Sequence, residues 1–240
     1  MRPTTILFDL DGTLLPMDQD VFIKSYFGKL AAKLAPFGYE PGLLFETIWK
    51  GTRAMVKNDG RKCNHEVFWD VLAGVYGETV KEHWPVFDNF YQNEFQQVQK
   101  VCGFDARAAK IVRSLKERGF CVVLATNPLF PAAATQSRIR WAGLEPEDFA
   151  LYTTYDNSCY CKPNPAYYRE ILEKIGAEPQ ECVMIGNDVS EDMIAREMGM
   201  QVFLLTDCLI NKDDADISQY PNGGFDELAA FLDASLKIIK

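Results

Sequence analysis

The chain has little of what would direct it to nucleic acid, to a membrane or to an oxidising compartment. Among its 240 residues, 25 are Lys or Arg against 34 Asp or Glu, a formal net charge of −9. It has no Lys/Arg-rich block. A chain with this balance does not attract a phosphate backbone through its overall field, so no nucleic-acid partner is expected. It lacks any run of about 18 apolar residues, so no helical membrane span and no membrane partner are expected. Residues 1–15 hold no long apolar stretch, and Asp9 and Asp11 stand where the core of a signal peptide would lie. The seven cysteines (63, 102, 121, 159, 161, 182 and 208) are odd in number and scattered. Without a secretion signal they read as reduced thiols of a cytoplasmic protein. Cys159-Tyr160-Cys161 is the one close pair. It lacks a second pair, and the only histidines, His65 and His83, are far off in sequence, so no metal site is expected there.

What is present is an ordinary globular composition, 48% hydrophobic and 25% charged. Thr4 to Leu10 is almost wholly apolar, as in a strand buried on both faces. After Pro16 the pattern turns helical. Val21, Phe22, Tyr26, Leu30 and Leu34 mark a first helix, and further helical patterns cover 42–57, 65–76 and 83–99. Their aromatics, among them Phe22, Tyr26, Phe27, Trp49, Phe68 and Trp69, read as packing residues. The polar turn at 57–62 is a solvated loop or a loop that closes over a site.

From Asp105 the pattern alternates. Helices are expected over 105–118, 131–142, 165–175 and 191–198, each followed by a glycine that ends it. Strands are expected over 120–126, 150–155, 182–185 and 201–205, an exposed loop over 211–224 and a closing helix over 225–232. Such alternation predicts an α/β fold: a Rossmann-like parallel sheet with helices on both faces. The first strand must join that sheet. Residues 1–16 and 100–240 therefore form the core, and 17–99 is an inserted all-helical domain.

In an open parallel sheet, ligands collect at the carboxyl ends of the strands. Those ends read Asp9-Leu10-Asp11-Gly12-Thr13, then Thr126-Asn127, then Lys162-Pro163-Asn164-Pro165, then Gly186-Asn187-Asp188 with Asp192 a turn further on. Asp9 and Asp11, two apart on a strand, share one face. Folding stability does not ask for adjacent carboxylates, which repel; chemistry does.

These four segments, in this order, resemble the motifs of the haloacid dehalogenase (HAD) superfamily in its phosphatase branch, and the inserted helices resemble that family's alpha-helical cap. The resemblance implies a small phosphorylated metabolite as substrate, with Asp9 as nucleophile and Asp11 as general acid and base. It implies that Thr126 holds a phosphoryl oxygen, with Asn127 facing the phosphate, and that Lys162 neutralises charge. It implies Mg²⁺ on Asp188, the Asp9 side chain and the Asp11 backbone carbonyl, with Asp192 and Asn187 beside it. The family commonly has Asp directly after the glycine, where this chain has Asn187. Either Asp188 is the ligand or Asn187 coordinates through its carbonyl oxygen; charge favours Asp188. Asp9, Asp11 and Asp188 bring three negative charges against one on Lys162, so a phosphate dianion would be repelled without a cation. A phosphomutase would use the same core. A phosphonate-cleaving relative would need a cap lysine, and nothing marks Lys24, Lys29, Lys50 or Lys57 as one. The halide-removing branch does not use a second acid where Asp11 stands. In another class stand a non-hydrolytic phospho-aspartate switch and a binding protein on a retired enzyme core. Receiver domains are shorter, and no catalytic side chain is missing except at Asn187.

Overall fold

The computed structural model describes residues 3–236. Strand β1 (Thr5–Phe8) is buried along its length. It is followed by helices α1 (Gln19–Leu34), α2 (Pro41–Val56), α3 (Asn64–Tyr76) and α4 (Trp84–Gln92), with no strand among the described residues until β2 (Cys121–Leu124). The chain then runs α5 (Ala106–Glu117) before β2, and α6 (Ala132–Trp141), β3 (Leu151–Tyr152), α7 (Pro165–Ile175), β4 (Cys182–Gly186), β5 (Gln201–Leu205), β6 (Asn222–Gly223) and α8 (Phe225–Ser235) after it. All six strands are parallel, in the order β3-β2-β1-β4-β5-β6.

Alternation along the strands builds two cores. Ile6, Phe8, Val122, Leu124, Val183 and Ile185 pack on one face with Ala108, Val112 and Leu228 from α5 and α8. Leu7, Val123 and Met184 pack on the other with Tyr167, Tyr168 and Ile171 of α7. Each fully buried apolar side chain of this size contributes roughly 1.5–3 kcal/mol. Several helices start where a side chain caps them: Asp18 accepts from two backbone N–H groups of α1, Asp105 caps α5, and Asn164 with Pro165 opens α7.

Four elements differ from expectation. The helix expected over 83–99 ends at Gln92, because the Asn93 amide donates to the Asn89 carbonyl and the chain continues as a 3₁₀ run, Glu94–Val101. The segment expected as helix over 191–198 is a 3₁₀ run, Met193–Met198. β3 is only two residues long. The expected loop at 211–224 contributes β6, a short edge strand paired with Leu204 and Leu205. The helical block joins the sheet through two segments lying side by side: Met17 bridges Cys102 antiparallel, and the Gly103 N–H donates to the Pro16 carbonyl at 2.7 Å. Among the described residues no helix is long and apolar enough to cross a membrane. All seven cysteines are free thiols.

Candidate active site

β1 carries Asp9 out of the sheet; the Asp9 N–H still donates to the Ile185 carbonyl at 2.9 Å. Gly12 then turns the chain with φ +86°. This position requires glycine on two counts, since a Cβ there would lie 2.3 Å from the Asn187 amide nitrogen. A cavity of about 150 Å³ opens above, with Asp9, Asp11, Thr126, Asn127, Asn187, Asp188, Glu191 and Asp192 among its walls. Lys162 is not a wall residue. It lies fully buried beneath them, its ammonium 2.8 Å from Asp9 Oδ1 and 2.6 Å from Asp192 Oδ1. Tyr167 supports the lysine with its ring face, 5.9 Å from the ammonium.

The two acids of the first motif have different partners. Asp9 bonds Lys162, while Asp11 Oδ2 pairs with Arg138 Nη1 from α6. Asp11 Oδ1 is buried and has no hydrogen-bond partner. Arg138 is 1% exposed and stacks on Phe130, 4.5 Å from the ring centroid. Burial raises both carboxyls above their ordinary value. Lys162 opposes this at Asp9, and Arg138 opposes it at Asp11. Burial pushes Asp192 up to about 6 and Glu191 up to about 7, against the pull of Lys162. Burial works against the lysine's charge too, but Asp192 and Asp9 outweigh it and hold Lys162 well above the usual lysine range.

The remaining residues anchor the rim. The Thr126 carbonyl accepts from the Thr153 hydroxyl at 2.6 Å and from the Tyr167 hydroxyl at 2.9 Å, fixing the end of β2. Asn127 donates to Glu191 Oε2 at 3.0 Å, and its Oδ1 is buried without a partner. The Asn187 amide is engaged on both sides: its nitrogen donates to the Cys208 carbonyl and its oxygen accepts from the Thr13 hydroxyl. Asp188 Oδ1 accepts from Ser190 and Glu191 N–H groups in a tight turn. Arg138 and Glu191 did not stand out in the sequence. A signal for Arg138 was available, since Ala134, Arg138 and Trp141 form one buried stripe of α6, and a charge on such a stripe needs a buried partner. The polar turn at 57–62 is not free of the core, because Gly60 packs against the Tyr160 ring. His83 bonds the Tyr39 hydroxyl at 2.7 Å, away from this cavity.

Five carboxyl groups on the cavity wall thus face two buried cations, Lys162 and Arg138. The donors are hard oxygens, which suit Mg²⁺. Among the described residues no three His, Cys, Asp or Glu side chains are arranged as a metal cage. Mg²⁺ takes one or two carboxylates and completes its octahedron with water and substrate phosphate. The Asn187 oxygen is turned to Thr13, and Asp188 Oδ1 accepts from Ser190 and Glu191 within its own turn.

Comparison with known proteins gives a family. The profile of haloacid dehalogenase-like hydrolases matches residues 3–199. A phosphoglycolate phosphatase of Vibrio vulnificus is 25% identical over 96% of this chain and 95% of its own length. The pyrophosphatase PpaX of Halalkalibacterium halodurans is 22% identical over 84% of this chain and 82% of its own. Among solved structures, the HAD-hydrolase YfnB of Bacillus subtilis, bound to magnesium and described as revealing interdomain movement, superposes with a TM-score of 0.57. It is 18% identical, covering 97% of this chain and 100% of that one.

Proposed function

The chain belongs to the haloacid dehalogenase-like hydrolases, and from this we propose that it is a Mg²⁺-dependent phosphatase acting on a small phosphorylated metabolite. The observation that carries the reading is the divided pair: two acids two residues apart, each held by a different buried cation. Different environments are what assign different roles to neighbouring carboxyls. Asp9, held by Lys162, attacks phosphorus and forms an aspartyl-phosphate as the ester P–O bond breaks. Asp11 gives its proton to the departing alcohol oxygen. It then takes a proton from the water that hydrolyses the acyl phosphate, which frees inorganic phosphate and restores Asp9. Proton transfer of this kind is worth about 10²–10⁴-fold. Thr126 and Asn127 hold phosphoryl oxygens, Asn127 through its Nδ2 donor, which rests on Glu191 Oε2 in this structure. Asp188, the Asp9 side chain and the Asp11 backbone carbonyl would hold Mg²⁺, with Asn187 and Asp192 bracing them. The ion supplies positive charge that offsets the crowded carboxylates and the phosphate.

Residues 17–99 act as a cap over a core of 1–16 and 100–240. The paired segments at Pro16–Met17 and Cys102–Gly103 are its hinge, and the interdomain movement described for YfnB supports such a motion. Replacing Asp9 with Asn is expected to abolish phosphate release from an aryl phosphate while the far-UV circular dichroism stays native. Undiminished turnover would remove Asp9 from the nucleophile's role.

A further inference from the structure

The catalytic cavity does not end at its carboxylates. Ile23, Leu129 and Phe130 wall it on the side of the helical block, and the same three residues wall a second cavity of about 110 Å³. The remaining walls of that chamber come from α1, α2, α3, α4 and Tyr155, with Trp49, Phe68 and Tyr91 among them. No Lys, Arg, His, Asp or Glu lines it. Its most polar buried groups, the Tyr26 and Tyr91 hydroxyls, bond each other at 3.0 Å. Burial raises both above the ordinary tyrosine value, so both stay neutral. On its outer side the chamber shares Trp69, Trp84 and Tyr155 with a wider cavity of about 520 Å³ that reaches the exposed Lys62, Asp70 and Lys81.

We propose that this aromatic chamber receives the leaving group, so that the substrate is the phosphate monoester of an apolar alcohol, alkyl or aromatic. This rests on the phosphatase reading and names its substrate class. A phosphate seated against Asp9 and Thr126 has the chamber on the far side of Ile23, Leu129 and Phe130, the apolar wall that the two cavities share, and a leaving group that moves these side chains aside enters it. The substrates named for the relatives, phosphoglycolate and pyrophosphate, present a second anion where this chain presents aromatic rings. An anion buried there without a cation is strongly disfavoured. The chamber is somewhat smaller than the ~150 Å³ apolar cavity that accepts benzene, so a short alkyl chain fits and a single ring fits with small side-chain movement. A longer tail continues past Trp84 to solvent.

The test is a series of monoesters with the whole chain and Mg²⁺: methyl to hexyl phosphate, benzyl phosphate, phosphoglycolate and pyrophosphate, with acetyl phosphate as a slender general phosphoryl donor. The expected result is a kcat/KM that rises up to about fourfold per methylene until the chamber fills, with propyl phosphate well ahead of the similarly sized phosphoglycolate. Turnover of acetyl phosphate with no rise along the series, or with phosphoglycolate ahead of propyl phosphate, overturns the chamber's role and leaves the phosphatase reading standing. Phosphate release from none of these compounds overturns both. Thr52→Arg places a cation in the chamber wall and is expected to reverse the order of propyl phosphate and phosphoglycolate; an unchanged order in a folded variant also overturns the proposal. The series on the native chain decides the matter without the variant.

Discussion

At the scale of single residues, the site is a charge cluster held in place by two buried cations. Asp9, Asp11 and Asp188 were legible because each follows an apolar strand, where a charge has no packing role, and Lys162, in the loop beyond β3, from its place before Pro163-Asn164-Pro165. Arg138 and Glu191 were not: Arg138 lies inside a helix, and Glu191, though it stands between Asp188 and Asp192 beyond β4, fits none of the motif positions. Arg138 sits in a helix whose other basic residue, Arg140, is exposed, and only the stripe shared with Ala134 and Trp141 separates the two. Glu191 acquires its meaning from Asn127, 64 positions away in sequence. The cluster has a thermodynamic consequence when metal is chelated. Glu191 titrates at about 7 in the folded chain against 4.5 ordinarily. The folded state therefore keeps a proton that the unfolded chain has released, and the stability present below about 4.5 is lost as pH rises through 7. Asp192, raised to about 6, acts in the same direction. In EDTA the urea midpoint is expected to fall between pH 5 and pH 8, and Glu191→Gln is expected to flatten that fall. A midpoint that climbs over this range, or a variant with the native slope, would contradict it.

At the scale of elements, the seam between β1 and β4 sets the geometry. The two strands pair in register, and beyond their ends Thr13 and Gly12 meet Asn187. The strands were readable as short apolar runs, and the helices were readable from their periodicity and terminal glycines. The break of α4 at Asn93 was not, because the periodic apolar residues Phe87, Phe90, Tyr91, Phe95 and Val98 stay buried across it and hide a local change of hydrogen bonding. β6 was hidden as well, since two residues rich in turn character pair only because Leu204 and Leu205 offer them an edge. Gly12 tests the seam directly. Gly12→Ala forces a side chain into a left-handed conformation and against the Asn187 amide. It is expected to cost roughly 1–3 kcal/mol of stability, read in urea unfolding. It is also expected to lower kcat more than a surface Gly38→Ala change, where the added Cβ meets nothing. Equal effects of the two substitutions would show that the seam does not govern catalysis.

At the scale of the whole molecule, the pairing of β1 with strands beyond the helices was legible because β1 alone could bury nothing, so the sheet had to resume after them. How the two parts close on each other was not legible, since it depends on contacts made across about 100 residues. In this structure the start of α3 touches the segment 155–161. The Asn64 N–H donates to the Ser158 carbonyl at 2.9 Å, the His65 N–H donates to the Tyr155 carbonyl at 2.9 Å, and Asn64 Nδ2 lies 3.3 Å from Cys161 Sγ. At the same edge Cys63 Sγ, at the start of α3, lies 3.6 Å from Cys159 Sγ, three residues before Lys162. Burial pushes the Cys159 thiol up to about 12, so little Cys159 thiolate exists near neutrality. A two-electron oxidant such as diamide, which takes both thiol hydrogens, would join the sulfurs and clamp the proposed cap shut. If substrate enters only as the cap lifts, this bond must stop turnover. Diamide at mildly alkaline pH is expected to lower phosphate release at least tenfold, dithiothreitol to restore it, and Cys63→Ser to make the enzyme indifferent to both. A Cys63–Cys159 disulfide found by mass spectrometry in a fully active sample would mean that the cap need not open. Substrate would then have to enter through the opening beside Trp69, Trp84 and Tyr155 instead.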